Sequence, residues 1–336
     1  MATITQRDNG SWQAKIRRRG YPPQSDTFRT KSLAERWARQ VENDMDRGIF
    51  VDRSQAERTT LGDLLERYVV DVNPTLRGAD KALGHLNTMR RDPLCDRIVA
   101  TLRRIDFERF VDRMFDEDYA PDTITRRLNL FHRVFELAEG WGIHLPANPV
   151  SKVERPKGNK RTRRLMEGEE DKLLAACRAS SFPHLAPAVE TAVETVMRQG
   201  ELLTLEWGSG MIDLAGRHIN LDLTKNGDSR TVPLSMKAVR ILTEIRKESG
   251  LVFAADANAF KLQFRRIADS VGMQDFRFHD LRHEGTSRLF ERTKLRDLEI
   301  MAITGHKSPV MLKRYTHLRT ANLAPSLDPN PSGIAA

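Results

Sequence analysis

Five places in the chain gather side chains that can act as a nucleophile, a proton donor or a permanent cation. Met197-Arg198-Gln199-Gly200-Glu201-Leu202 closes an apolar helical stretch. Lys225 stands in the turn Lys225-Asn226-Gly227-Asp228. His279-Asp280-Leu281-Arg282-His283 places His279 and Arg282 three apart, on one face of a helix. Gly305-His306 and Lys313-Arg314-Tyr315-Thr316-His317 complete the set. Each has an ordinary use by itself. Arg198 and Glu201 suit a helical ion pair, Lys225 a solvated turn, and His279 with Arg282 a structural pair. Gly305 suits a helix C-cap, and Tyr315 a core position with its hydroxyl at the rim.

Taken together they form a chemical set. Breaking a phosphodiester without a metal requires a nucleophile, cations on the non-bridging oxygens and an acid for the leaving oxygen. Tyr315 supplies the nucleophile. Arg198 and Arg282 supply planar, permanently charged forks. Lys225 can protonate the leaving oxygen, and His279 and His306 can hydrogen-bond the phosphate or shuttle protons. The spacing of acidic residues suggests no metal cluster, so the arginines take the place that Mg²⁺ holds elsewhere.

Several elements must position these groups. Residues 1–55 read as a small three-stranded sheet followed by a helix. Asp8-Asn9-Gly10 is a hairpin signal, and Trp12, Ala14 and Ile16 alternate with Gln13, Lys15 and Arg17. A third strand fits Asp26–Arg29. Ser32 and Glu35 have capping-box spacing, and Leu33, Trp37, Val41 and Met45 trace a helix ended by Gly48. The basic strand face, with Lys15 and Arg17, is either a solvated surface or a ribbon for a DNA groove.

Residues 56–150 read as a helical domain. Its stripes are Leu61, Leu64, Leu65 and Tyr68, then Ile105, Phe107, Phe110, Val111 and Met114, then Ile124, Leu128, Phe131, Phe135 and Leu137 after a starting Pro121. These aromatics read as core, not as base-stacking platforms. Trp141-Gly142 and Asn148-Pro149 close the segment. Residues 151–164 form a linker in which seven of fourteen residues are basic: Lys152, Arg155, Lys157, Lys160, Arg161, Arg163 and Arg164. The run is expected either to be solvated or to lie along phosphates. Residues 165–320 form the largest unit. Helices are expected near 167–178 and 184–197, then strands at Ile212–Leu214, His218–Leu223 and Arg230–Leu234, then further helices. The tail 321–336 holds three prolines.

The bulk numbers agree with a nucleic-acid partner. Fifty-five Lys and Arg against 46 Asp and Glu give a net charge of +9, a field that attracts polyanions. Hydrophobic residues at 39% and charged residues at 30% suit a globular chain. Cys95 and Cys177 are far apart and read as reduced thiols in a cytoplasmic protein. Neither a signal peptide nor a membrane span is expected.

At these residues the sequence resembles the tyrosine recombinase (phage integrase) family. The family's order is Arg, an acid three residues later, Lys on a hairpin, His-x-x-Arg, His or Trp, and Tyr nine residues further on. Here it runs Arg198, Glu201, Lys225, His279 with Arg282, His306 and Tyr315. Thr224-Lys225-Asn226-Gly227 and Arg230-Thr231-Val232-Pro233-Leu234 resemble the family's hairpin. Phe278–Glu284 and Met311–Arg319 resemble shufflon-type DNA invertases most. One departure is Val196, where many relatives carry Gly before Met-Arg.

The resemblance implies a mainly α fold with small β elements, closing as a C-shaped clamp on DNA. It implies an arm-type or accessory DNA-binding domain at 1–55, a core-binding domain at 56–150 and a catalytic domain at 165–320. It also implies double-stranded DNA with specific sites as partner, a homotetramer on that DNA, and room for DNA-bending or directionality proteins in the bacterial nucleoid. Tyr315 would form a 3′-phosphotyrosine, exchange would pass through a Holliday junction, and no cofactor or metal would be needed. Three other readings stay open at this point. They are a type IB topoisomerase, a zinc hydrolase built on His279 and His283, and a DNA-binding regulator without catalysis. The second is weakened because Asp280, not Glu, follows the first histidine.

Overall fold

The computed structural model describes residues 2–76, 78–159, 161–221 and 229–319. It divides into two units, Met1–Lys160 and Arg161–Ala336, and the division falls inside the basic run. Lys160, Lys225 and the 321–336 tail lie outside the described residues.

The first unit opens with an antiparallel sheet of β1 (Thr3–Gln6), β2 (Trp12–Ile16) and β3 (Gln24–Phe28), in that order. Lys15 pairs with Thr3 on one side and Ser25 on the other. The alternation along β2 sets the two faces. Ala14 and Ile16 are buried against α1 (Lys31–Asp46), while Lys15 is exposed beyond them, as is Arg17 after the strand. The helix starts two residues earlier than the Ser32 capping pattern suggests. Extended Thr30 is the N-cap, and its hydroxyl accepts the Leu33 N–H at 3.4 Å.

A separate apolar core joins α2 (Leu61–Arg67), α3 (Ala79–Met89), α4 (Arg104–Asp116) and α5 (Pro121–Ala138). Phe107, Phe110, Phe131 and Phe135 are buried in it and meet edge-on, with centroids 5.3–5.8 Å apart. Ile105 departs from the expected stripe and is 43% exposed. Two residues before Phe107, it points about 200° around the helix, away from the core.

The second unit is mostly helical: α6 (Glu169–Ala179), α7 (Leu185–Thr195), α8 (Gln199–Leu203), α9 (Met236–Glu244), α10 (Ala257–Ser270), α11 (Phe278–Arg292) and α12 (Asp297–Thr304). Two small sheets complete it. In one, β4 (Glu206–Trp207) pairs with β8 (Gly250–Leu251). In the other, β5 (Ile212–Asp213), β6 (His218–Leu221) and β7 (Arg230–Pro233) form a meander. The β6–β7 register ends at Leu221↔Arg230.

Apolar α7 runs through the core, with Ala188, Val189, Ala192 and Val193 buried. It packs against α11 at Gly285, where a Cβ would collide with the Val193 carbonyl and lie 2.6 Å from Val196 Cγ1. Only glycine permits that approach. Cys95 and Cys177 are buried free thiols, and burial pushes each pKa up to about 12. No helix among the described residues is long and apolar enough to cross a membrane.

Candidate active site

The site is assembled at element ends. Helix α7 stops at Thr195, and Val196 turns into the left-handed region at φ 50°. That turn leads into Arg198, the N-cap residue of α8. Glu201, at the third position of the helix, accepts the Arg198 backbone N–H at 2.8 Å and its guanidinium at 2.7 Å. The other Arg198 nitrogen donates to the Gly305 carbonyl at 3.1 Å.

Glu201 has a second arginine. Arg230, at the start of β7, donates to both of its oxygens at 2.9 and 2.8 Å. Burial alone would raise the Glu201 carboxyl, but Arg230, the Arg198 backbone N–H and the Arg198 guanidinium together hold it at about 2. Glu201 is therefore an anion that fixes one catalytic candidate and one strand of the meander.

Helix α11 contributes the central group. Asp280, nearly fully buried, accepts the Arg277 N–H at 2.8 Å and locks the first turn. Arg282 is 5% exposed and donates to the carbonyls of Val196 and Thr304. Burial first, and then Arg198, lower its pKa to about 10, which leaves it cationic at neutral pH. His279 is exposed by surface area. The surrounding protein and then Arg282 lower its pKa.

His306 follows Gly305, whose φ of 66° ends α12. Its Nδ1 lies 2.6 Å from the Thr304 hydroxyl. Burial and then Arg282 and Arg198 lower its pKa to about 4. Gly305 thus serves both as the C-cap and as the carbonyl partner of Arg198.

Tyr315 is 5% exposed in a small cluster with Phe290, Ile300 and Leu312. Its ring stacks on Phe290 at 5.8 Å and 19°. Its hydroxyl lies 2.5 Å from His283 Nδ1. Burial raises the phenol pKa, partly offset by Arg314 and Arg282. The Arg314 guanidinium lies 5.5 Å from the Tyr315 ring centre and donates to the Arg161 carbonyl.

The structure therefore brings Arg198, Glu201, His279, Arg282, His306 and Tyr315 into one electrostatically coupled group. Two members were not singled out from the sequence. Arg230 is visible there only as a strand residue after the turn. His283 is visible only as a possible zinc ligand four residues after His279. Its Nδ1 is instead engaged by Tyr315, and its ring meets that of His279 edge-to-face at 5.1 Å. Among the described residues no group of three or more His, Cys, Asp or Glu side chains is arranged to hold a metal.

Several arginines of the basic run meet protein acceptors. Arg161 pairs with Asp275 and Asp280, each at 2.6 Å, and Arg163 with Glu169 at 2.6 Å. Arg164 pairs with Glu284 at 3.0 Å and Glu291 at 2.6 Å. Arg155 donates to the carbonyls of Val150 and Val153. These four side chains anchor the run to protein acceptors. Asp280 and Glu284 flank Arg282 in the sequence of α11, so the anchor reaches that helix itself. Lys152 and Lys157 remain exposed.

Residues 163–322 match the family model described as the phage integrase family. The chain is 36% identical over 281 residues to the shufflon-specific DNA recombinase of Escherichia coli, covering 81% of this chain and 72% of that protein. A putative integrase/recombinase of Haemophilus influenzae is 30% identical over 332 residues, covering 93% of this chain and 86% of its own. Among solved structures, a lambda integrase dimer bound to a COC′ core site aligns with a TM-score of 0.63 at 21% identity, covering 94% of this chain and 95% of that one. The Tn1549 transposon integrase in complex with a circular intermediate DNA aligns with a TM-score of 0.65 at 16% identity, covering 80% and 100%. The two structural likenesses establish the mainly helical fold, and the sequence matches go further: the chain belongs to the phage integrase family and is a tyrosine site-specific recombinase, an enzyme that cuts and rejoins DNA.

Proposed function

We propose that Tyr315 is the nucleophile, attacking a scissile phosphate to leave a 3′-phosphotyrosine and a free 5′-hydroxyl. Arg198 and Arg282 hold the non-bridging oxygens, with His279 and His306 as neutral hydrogen-bonding partners. Lys225 donates the proton to the leaving 5′ oxygen. The observation that carries this assignment is convergence. Residues from the α7–α8 junction, α11, the α12 cap and the Tyr315 segment perturb one another's ionisation, and Arg198 and Arg282 take the carbonyls of Gly305 and Val196. Cationic forks fixed before the substrate arrives cost little reorganisation when charge develops on phosphorus.

The 5′-hydroxyl released from one duplex then attacks the phosphotyrosine of another. Paired exchanges of this kind pass through a Holliday junction, and a lambda integrase tetramer bound to a Holliday junction is among the structural relatives. On this reading the partner is double-stranded DNA carrying two specific sites, and four protomers assemble on it. Residues 1–55 bind DNA through the Lys15 and Arg17 face, and residues 56–150 grip the core site.

Tyr315→Phe tests the assignment, because it keeps the packing on Phe290 and removes only the attacking oxygen. Band shifts should show unchanged site binding, while denaturing gels should show no covalent adduct. An adduct formed by the Phe variant would assign the nucleophile elsewhere. Recombination between two defined sites separates this enzyme from a type IB topoisomerase, which would only relax supercoils.

A further inference from the structure

The Tyr315 hydroxyl meets a histidine outside the family's Arg-Lys-His-Arg-His-Tyr set. The Tyr315 hydroxyl and His283 Nδ1 are 2.5 Å apart, within hydrogen-bond distance, while His279 lies edge-to-face on the His283 ring. His283 sits on α11 one residue after Arg282, half-buried, with its ring tilted 34° to that of Tyr315.

We infer that His283 is the base that takes the phenolic proton as Tyr315 attacks phosphorus. This rests on Tyr315 being the nucleophile. Burial raises the Tyr315 pKa, so the phenol does not ionise unaided at neutral pH and needs an acceptor in place. Burial, and then Arg314 and His279, lower the His283 pKa to about 4, with Arg282 acting in the same direction and Asp280 opposing. The imidazole is therefore neutral, and with its proton on Nε2 it offers Nδ1 as acceptor.

In the step itself Tyr315 Oη bonds to phosphorus and its proton passes to His283 Nδ1. The bond from phosphorus to the 5′ oxygen breaks, and that oxygen is protonated by Lys225. Charge placed on His283 lies beside Asp280 and the anionic phosphoryl group. On religation a 5′-hydroxyl attacks, the bond from phosphorus to Oη breaks, and His283 returns the proton to the phenolate. The same residue thus serves both directions.

The test uses the full chain, a suicide DNA substrate at saturating protein, and single-turnover adduct formation. His283→Asn keeps a polar group near the Nδ1 position but cannot take up the proton. It should slow cleavage about 10²–10⁴-fold with unchanged band-shift affinity. Replacing Tyr315 by 3,5-difluorotyrosine, whose phenol ionises near neutral pH, should restore most of that loss. It should not rescue Arg282→Lys. Cleavage by His283→Asn within about threefold of the unaltered chain, or no rescue by the fluorinated residue, overturns the inference. A second measurement leaves position 283 untouched. On a substrate with a bridging 5′ sulfur, which needs no leaving-group proton, difluorotyrosine should shrink the solvent deuterium isotope effect, and an undiminished effect counts against His283. If Tyr315→Phe still forms adducts, the nucleophile assignment fails. If only His283→Asn cleaves normally, this inference fails alone.

Discussion

The backbone carbonyl of Val196 accepts a hydrogen bond from the Arg282 guanidinium. Val196 is held at φ 50° and ψ 24°, a conformation that a β-branched residue adopts at a cost. Many family members place glycine here, and the geometry explains why. The site uses the direction of the carbonyl, and the side chain is incidental to it. Val196→Gly should therefore cleave at close to the normal rate. Relief of left-handed strain is worth about 1–2 kcal/mol. Loss of a fully buried valine costs about 1.5–3 kcal/mol. The net change in denaturant unfolding should stay within about 2 kcal/mol. A large loss of cleavage in a stably folded glycine variant would show that the valine side chain, not the carbonyl, sets Arg282.

Glu201 lies between two arginines, and its removal should be felt twice. In Glu201→Gln, Arg198 and Arg230 lose the anion that offsets their partial burial. Losing one member of such a group costs about 3–5 kcal/mol, and the amide's remaining hydrogen bonds place this variant at the low end. Cleavage should also fall, because the amide leaves a single accepting oxygen for Arg198 and Arg230 to share, and Arg198 is held less firmly. The pH dependence has a definite sign. The folded carboxyl titrates at about 2, against an ordinary value of 4.5. Its stabilisation is fully present above the ordinary value and is lost as pH falls toward the folded one. The stability gap between the unaltered chain and Glu201→Gln should be constant above pH 5 and close below pH 4. A gap that widened in acid would contradict the assignment of Glu201 as a permanent anion.

The linker arginines and lysines should separate in a salt titration of DNA binding. Arg161, Arg163 and Arg164 are committed to carboxylates, whereas Lys152 and Lys157 are exposed. Lys152→Ala and Lys157→Ala should each lower the slope of log affinity against log salt by about 1 if they meet phosphates. Arg164→Ala should leave that slope unchanged and instead lower the thermal midpoint, since buried Glu284 loses a partner. A flattened slope in Arg164→Ala would mean that the arginine exchanges its carboxylates for DNA on binding.

Much of this site was legible in the order of its residues, because that order encodes a chemical requirement. Arg198, Arg282 and Tyr315 are types that a metal-free phosphoryl transfer needs, and Gly305 advertises a helix end by its type. What stayed hidden depends on tertiary approach. The spacing within β7 does not say that Arg230 would reach Glu201, which lies 29 residues earlier. The i, i+4 relation of His279 and His283 is visible, but its purpose depends on a tyrosine 32 residues further on. The partners of the basic run were hidden for a related reason. Composition counts its charges, but cannot see that Glu169, Asp280, Glu284 and Glu291 answer them.

Lys225 is the remaining member of the proposed catalytic set, and it lies outside the described residues. It is four residues from Leu221 and five from Arg230, the last pair of the β6–β7 register. Arg230 is joined to Glu201, and Glu201 to Arg198, the proposed phosphate ligand. The leaving 5′ alkoxide is a strong base and needs a proton in the transition state. Arginine is too weak an acid to give one efficiently, whereas a lysine desolvated against DNA can be tuned downward. Lys225→Ala should slow cleavage by about 10²–10⁴-fold and barely change binding. A bridging 5′ sulfur makes a leaving group that needs no proton. That substrate should restore cleavage to Lys225→Ala, but not to variants of Arg198 or Arg282, which stabilise charge on the non-bridging oxygens. It should not restore His283→Asn either, whose deficit lies at the attacking oxygen. Equal rescue of the arginine variants, or rescue of none, would remove Lys225 from the role of acid.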